Sequence, residues 1–304
     1  MQSISKIEED IKSLKIQGAT NVALKVLEGL LFSVNILKLR NNLDPHIYLL
    51  EETIRLAFTR PTEPLAQNAV RFIFQKKENS PQKYLQLAEV YKQMIFSAKN
   101  KIANSGSSLI ENGATYLTHC HSTSVTGLFI KAAKEGKKFQ VITTETRPKF
   151  QGRKTANDLL SSGLDNVTMI VDNLASSLIL ENKKNIKGIF IGSDLLSQHG
   201  FVNKIGSLGI AFMALQKQIP VFAASSLLKY DPQDYQNDFI EERPSSEIWS
   251  DPPEKLKFYS PAFDFIPYYE NITLITEAGL LKGNQIKTKA LEIYPFLNFN
   301  LQTR

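Results

Sequence analysis

The strongest constraint on the fold of this chain is a change of pattern at Ala114. From there on, short unbroken apolar runs recur at 115–119, 139–144, 167–171, 188–192, 220–224 and 272–276. A strand with one face in water alternates apolar and polar residues. Unbroken runs instead suit parallel strands covered on both faces. Helical segments fit between the runs, for example 154–162 with Gly163 as its stop. This alternation predicts a Rossmann-like, doubly wound, mostly parallel sheet.

Before Ala114 strand signals are scarce. Ile4, Ile7, Ile11 and Leu14 form one amphipathic stripe that Gly18 breaks. Ala19, Val22, Ala23, Val26, Leu27, Leu30, Leu31 and Val34 form a denser second one. Asp44-Pro45 and Ser80-Pro81 each pair a capping residue with proline at the first helical position. They predict helices to about 58 and towards 105. Pro61 and Pro64 make 59–64 a loop before a helix over 65–75. The expectation is an α/β protein with an all-α domain at 1–107 and a Rossmann-like α/β domain at 108–304.

The single cysteine stands in Thr118-His119-Cys120-His121-Ser122, where a strand ends and a helix opens with Ser122, Thr123 and Ser124. In open α/β sheets ligands collect at that edge, and helix N–H groups there favour anions. A helix N-terminus lowers a thiol pKa, and protonated imidazoles on either side would lower it further. A buried cysteine packed as a small hydrophobe is the plainer alternative. Other strand ends are polar too: Glu145-Thr146-Arg147-Pro148 with Gln151-Gly152, Gly192-Ser193-Asp194, and Lys229. Asn203-Lys204-Ile205-Gly206 is expected to enter a helix. Gln17-Gly18-Ala19-Thr20 makes either an anion-binding turn or an ordinary helix cap. Arg60 is either a phosphate clamp or a surface arginine.

Bulk properties narrow the class. One cysteine excludes an internal disulfide framework and fits a reducing, cytoplasmic setting. The first ten residues lack the apolar core of a secretory signal. No apolar run reaches the roughly 18 residues of a membrane span. The net charge of +6 comes from 36 basic and 30 acidic residues spread along the chain. It therefore suits a small anionic ligand without implying nucleic acid. No G-x-G-x-x-G follows a strand, and no Walker motif is present.

The ordered set Thr118-His119-Cys120-His121-Ser122, Glu145-Thr146-Arg147-Pro148, Gln151-Gly152, Gly192-Ser193-Asp194 and Asn203-Lys204-Ile205-Gly206 resembles one family. It joins ribose 1,5-bisphosphate isomerases, methylthioribose 1-phosphate isomerases and regulatory subunits of translation initiation factor 2B. The resemblance runs from Gly18 to about Gly279. It implies a helical N-terminal domain before a Rossmann-like one, and a homo-oligomer, dimer or hexamer. It also implies Cys120 and Asp194 as the catalytic pair of a sugar-phosphate isomerase, a pair that the translation-factor subunits usually lack. The histidines around Cys120, Thr59-Arg60-Pro61-Thr62 and Arg243-Pro244-Ser245-Ser246-Glu247 resemble the ribose bisphosphate branch. By resemblance, a phosphorylated pentose is held by Gln17, Gly18, Ala19, Thr20, Arg60, Ser122, Thr123, Ser124, Gln151, Asn203, Lys204 and Lys229. No metal or cofactor is implied. Two positions depart from the family: Gln17 stands where the turn usually begins with arginine, and Ser193 where alanine is usual.

Overall fold

The computed structural model describes residues 3–39, 43–233 and 240–301. Five helices come first: α1 (Ile4–Lys12), α2 (Ala19–Leu37), α3 (Pro45–Ala57), α4 (Pro64–Phe74) and α5 (Pro81–Ser107). The Asp44 carboxylate caps α3 by accepting the N–H groups of His46 and Ile47. Proline occupies the first turn of α3, α4 and α5, where its missing N–H would have had no helical partner. Contrary to expectation, α2 is by length and mean hydropathy (1.4) apolar enough to cross a membrane. Half of it is buried, however, and Val22, Val26 and Leu30 share one core with Ile7, Leu49, Leu56 and Val70. Packing against neighbouring helices accounts for its composition.

Then follow β1 (Thr115–His119), α6 (Thr123–Lys134), β2 (Gln140–Thr144), α7 (Gln151–Ser161), β3 (Val167–Ile170), α8 (Leu174–Glu181) and β4 (Ile186–Gly192). The chain continues through β5 (Leu195–Leu196), β6 (Gly200–Lys204), α9 (Ser207–Gln216) and β7 (Val221–Ala224). It closes with β8 (Phe263–Pro267), β9 (Ile272–Thr276), β10 (Gly279–Leu281) and α10 (Ile286–Ile293). Seven strands form one sheet in the order β10-β9-β7-β4-β1-β2-β3, parallel throughout except for the β10–β9 pair. All six expected strands lie in it.

A second, antiparallel sheet of β5, β6 and β8 has no counterpart in the sequence reading. Residues 202–204, expected to enter a helix, are strand instead, and α9 starts only at Ser207. Their partner strand β8 lies some sixty residues away, beyond any local pattern. Helix α7 likewise begins at Gln151, three residues early. Gly152 makes this possible: a Cβ there would lie 1.7 Å from the Thr144 carbonyl oxygen, so the helix start sits directly on the end of β2.

Strand order turns around between β1 and β4. From β1 the chain steps outward through β2 and β3, and from β4 through β7 and β9. Connections on either side of such a point diverge and leave a crevice beyond the carboxyl ends of the two strands. Cys120 follows one of them and Asp194 the other.

Candidate active site

That crevice opens into a cavity of about 620 Å³, within the ordinary range for a small-molecule site. All fourteen residues singled out by sequence line it: Cys120, Asp194, the Gln17–Thr20 turn, Arg60, Ser122 to Ser124, Gln151, Asn203, Lys204 and Lys229. They come from the helical region, the segments after four strands of the large sheet (β1, β2, β4 and β7) and the small antiparallel sheet. The last element folds Asn203 and Lys204 back over the crevice.

Register pairs His119 with Ile191, which sets Cys120 beside Gly192. A Cβ on Gly192 would lie 2.7 Å from Ser122 Oγ, so glycine lets β4 end against the start of α6. Cys120 itself has φ 66°, the left-handed region that costs a side-chain-bearing residue about 1–3 kcal/mol. Two hydrogen bonds hold it there. Its N–H donates to Thr146 Oγ1 at 3.0 Å, and its carbonyl accepts Thr155 Oγ1 at 2.8 Å.

The flanking histidines are held away from the protonated form. His119 Nε2 lies 2.8 Å from the Ile205 carbonyl, which only accepts, so Nε2 carries the proton. Nδ1 then accepts from Thr144 Oγ1 at 2.7 Å, and Thr144 in turn accepts from Thr146. A chain of oriented hydroxyls thus runs from the Cys120 amide to a neutral imidazole. Burial lowers the pKa of both His119 and His121, so neither supplies a positive charge to the thiol. Burial likewise pushes the Cys120 thiol up, to about 11, although Lys204 and the His121 amide oppose it. Loss of water around the thiolate thus outweighs the lowering that a helix terminus favours, and the imidazole contribution, which required protonation, does not arise.

Asp194 is half-buried, anchored by its own N–H to the Val202 carbonyl at 2.8 Å. Among the described residues no group hydrogen-bonds its carboxylate. The preceding carbonyl, that of Ser193, accepts Lys229 Nζ. Ser193 Oγ, the unusual hydroxyl, turns away to the Leu195 carbonyl at 2.8 Å. Lys204 Nζ rests 4.6 Å from the centre of the Phe263 ring.

Arg60 lines the cavity, but its guanidinium is engaged by Glu63 at 2.7 Å and Glu241 at 3.1 Å. Glu241 also pairs with Arg243, which reaches Glu247 in turn. The 240–247 stretch is thereby tied to the 59–64 loop across the cavity. Burial raises the Glu63 carboxyl to about 7, with Asp194 adding to the rise and Arg60 opposing it. The sequence reading missed Glu63, Glu241 and Lys99 as cavity residues. Glu63 had only its nearness to Arg60 to mark it, and Lys99 is one lysine on a long helix rich in them. Among the described residues, four buried polar atoms on the cavity wall lack a hydrogen-bond partner: Glu63 Oε2, His121 Nε2, Gln151 Oε1 and Glu247 Oε2.

Residues 15–283 match the initiation factor 2 subunit family. The chain belongs to that family. A ribose 1,5-bisphosphate isomerase from Methanocaldococcus jannaschii is 31% identical over 92% of this chain and 92% of its own length. A 5-deoxyribose 1-phosphate isomerase from Clostridium botulinum is 28% identical, over 90% of this chain and 85% of its own. Among solved structures, the translation initiation factor eIF-2B of Pyrococcus horikoshii OT3 superposes with a TM-score of 0.77 at 25% identity. That match covers 92% of this chain and 96% of the other. The expectation of a family isomerase is borne out: the chain is an enzyme of the sugar-phosphate isomerase kind.

Proposed function

We propose that this chain converts ribose 1,5-bisphosphate to ribulose 1,5-bisphosphate, with Cys120 as general acid and Asp194 as general base. One observation carries the reading. A thiol kept protonated by burial and a carboxylate that no group among the described residues hydrogen-bonds stand on the two sides of the β1–β4 boundary in one cavity.

An aldose 1-phosphate has its anomeric oxygen esterified and cannot open to a free aldehyde. Isomerisation must break the bond between C1 and the ring oxygen with the phosphate still attached. Cys120 gives its proton to the ring oxygen as that bond breaks. Asp194 takes the 2-hydroxyl proton as the C2 oxygen becomes a carbonyl. The hydrogen on C2 moves to C1, so C2 is oxidised and C1 reduced within one molecule. A hydride shift keeps that hydrogen out of exchange with solvent, whereas a route through an enolate admits solvent deuterium at C1.

The remaining residues bind. The α6 start at Ser122 to Ser124, with Asn203 and Lys204, suits the phosphate beside the reacting carbons. The Gln17–Thr20 turn, Arg60, Gln151 and Lys229 face the rest of the sugar. The unpartnered Glu63 Oε2 and Gln151 Oε1 accept hydrogen bonds, as a polyhydroxylated ligand requires. A cytoplasmic setting and a homo-oligomer, dimer or hexamer, belong to the same reading. A second reading, a sugar 1-phosphate with no phosphate at C5, is favoured by Gln17, which removes a guanidinium from the cavity. Incubation with ribose 1,5-bisphosphate, ribose 1-phosphate and methylthioribose 1-phosphate, followed by product analysis, tests both. Ribulose 1,5-bisphosphate is expected. Turnover of only the monophosphates would favour the second reading, and no turnover of any would remove the isomerase.

A further inference from the structure

Among the described residues the cavity wall carries eight cationic side chains, and most are already paired. Arg60 and Arg243 are held by carboxylates, Lys149 pairs with Glu247, Lys154 with Asp158 and Lys15 with Asp10. That leaves Lys204 over an aromatic ring, Lys229 on a carbonyl, and Lys99. Lys99 projects from α5, half-buried, and among the described residues no carboxylate pairs with it. Burial lowers its pKa, and the charge of nearby Lys229 lowers it further. An ammonium half out of water with no counter-ion is costly in the empty protein. An anion in the cavity would offset that cost.

Lys99 and Lys204 reach the cavity from different elements, Lys99 from α5 and Lys204 from the end of β6. The Lys204 charge acts on the Cys120 thiol, whereas that of Lys99 acts on Lys229 and His121. A bisphosphate brings about −3 to −4 charges at neutral pH, more than one lysine near the thiol can answer. The Gln17–Thr20 turn brings no cation to the cavity. The Gln17 carboxamide is exposed and donates to the Leu14 carbonyl at 2.8 Å, turned back on its own loop.

We infer that Lys99, from the helical region, binds the second phosphate of a bisphosphorylated sugar, the one that Lys204 does not hold. This assignment rests on the isomerase reading and adds the residue that sets selectivity for a bisphosphate.

The test measures equilibrium binding of ribose 1,5-bisphosphate and of ribose 1-phosphate to wild type, Lys99→Met and Lys99→Arg. Methionine keeps the aliphatic stem on the helix, and a thermal melt checks folding. Lys99→Met is expected to weaken the bisphosphate by about 10- to 100-fold, the range for losing a charge-assisted contact. Ribose 1-phosphate is expected to change several-fold less, and Lys99→Arg to recover most of the loss. Equal weakening of both ligands, or no weakening of the bisphosphate, overturns the assignment. Wild-type turnover is a separate readout. A wild type whose bisphosphate binding depends on Lys99 as expected, yet which converts neither sugar, would sink the isomerase reading and leave the binding assignment standing.

Discussion

If Cys120 serves as an acid, its thiol must resist ionisation, and alkylation reads this directly. It is the only cysteine, so stoichiometric modification by iodoacetamide reports on it alone. Burial raises the thiol from 9.0 to about 11. At pH 8 the thiolate fraction then falls from roughly one in ten to one in a thousand, a hundredfold loss of the reactive form. A more basic thiolate is also a better nucleophile, with a Brønsted slope of about 0.4–0.5, which returns nearly a factor of ten. The net slowing against a free thiol is therefore about tenfold. Hindrance in the cavity would slow the reaction too, so the pH profile decides rather than the rate. The rate constant is expected to climb about tenfold per pH unit from 7 to 10 without levelling. A plateau beginning near pH 8 or below would show a thiolate at neutral pH and refute the acid role.

Two further outcomes follow from the cavity charges. Glu63 has a folded pKa raised from 4.5 to about 7, so between those values the folded protein binds more protons than the unfolded chain. Stability is full below pH 4.5 and falls as pH rises towards 7, by about 3 kcal/mol at about 1.4 kcal/mol per pH unit. Glu63→Gln should flatten that slope in urea titrations at pH 4 to 8; an unchanged slope would mean that Glu63 ionises normally. Gln17→Arg should tighten ribose 1,5-bisphosphate by about 1.5 kcal/mol, roughly tenfold, in a calorimetric titration. Unchanged binding would take that turn out of phosphate recognition.

Much of this architecture was legible because local chemistry and global fold agree. Asp44-Pro45 and Ser80-Pro81 mark true helix starts, and the six apolar runs are strands of one parallel sheet. The small sheet was not legible. Leu195-Leu196 is too short to show a period, and Phe263–Pro267 ends in a proline that argues against a strand. Residues grouped at one strand edge were recovered because topology brings every such end to one crevice. What sequence could not supply was the environment. The thiol's position at a helix start favoured a low pKa and an apolar site a high one; desolvation by side chains from several distant segments decides for the high one. Nor does α5 show which of its lysines faces inward. Lys99 lines the cavity on a helix that packs against α6, whose start carries Ser122 to Ser124, and against α2 and α4.

The central claim, that Cys120 and Asp194 move protons for a sugar-phosphate isomerisation, is tested most directly by single-turnover kinetics. Wild type, Cys120→Ser and Asp194→Asn would be compared on ribose 1,5-bisphosphate, with substrate affinity measured beside the rate. Each substitution is expected to lower the chemical rate by about 100- to 10,000-fold, with affinity changed only a few-fold, because a hydroxyl is a far weaker acid than a thiol and a carboxamide cannot take the proton. A folded Cys120→Ser or Asp194→Asn variant that turns over within a few-fold of wild type would contradict the account.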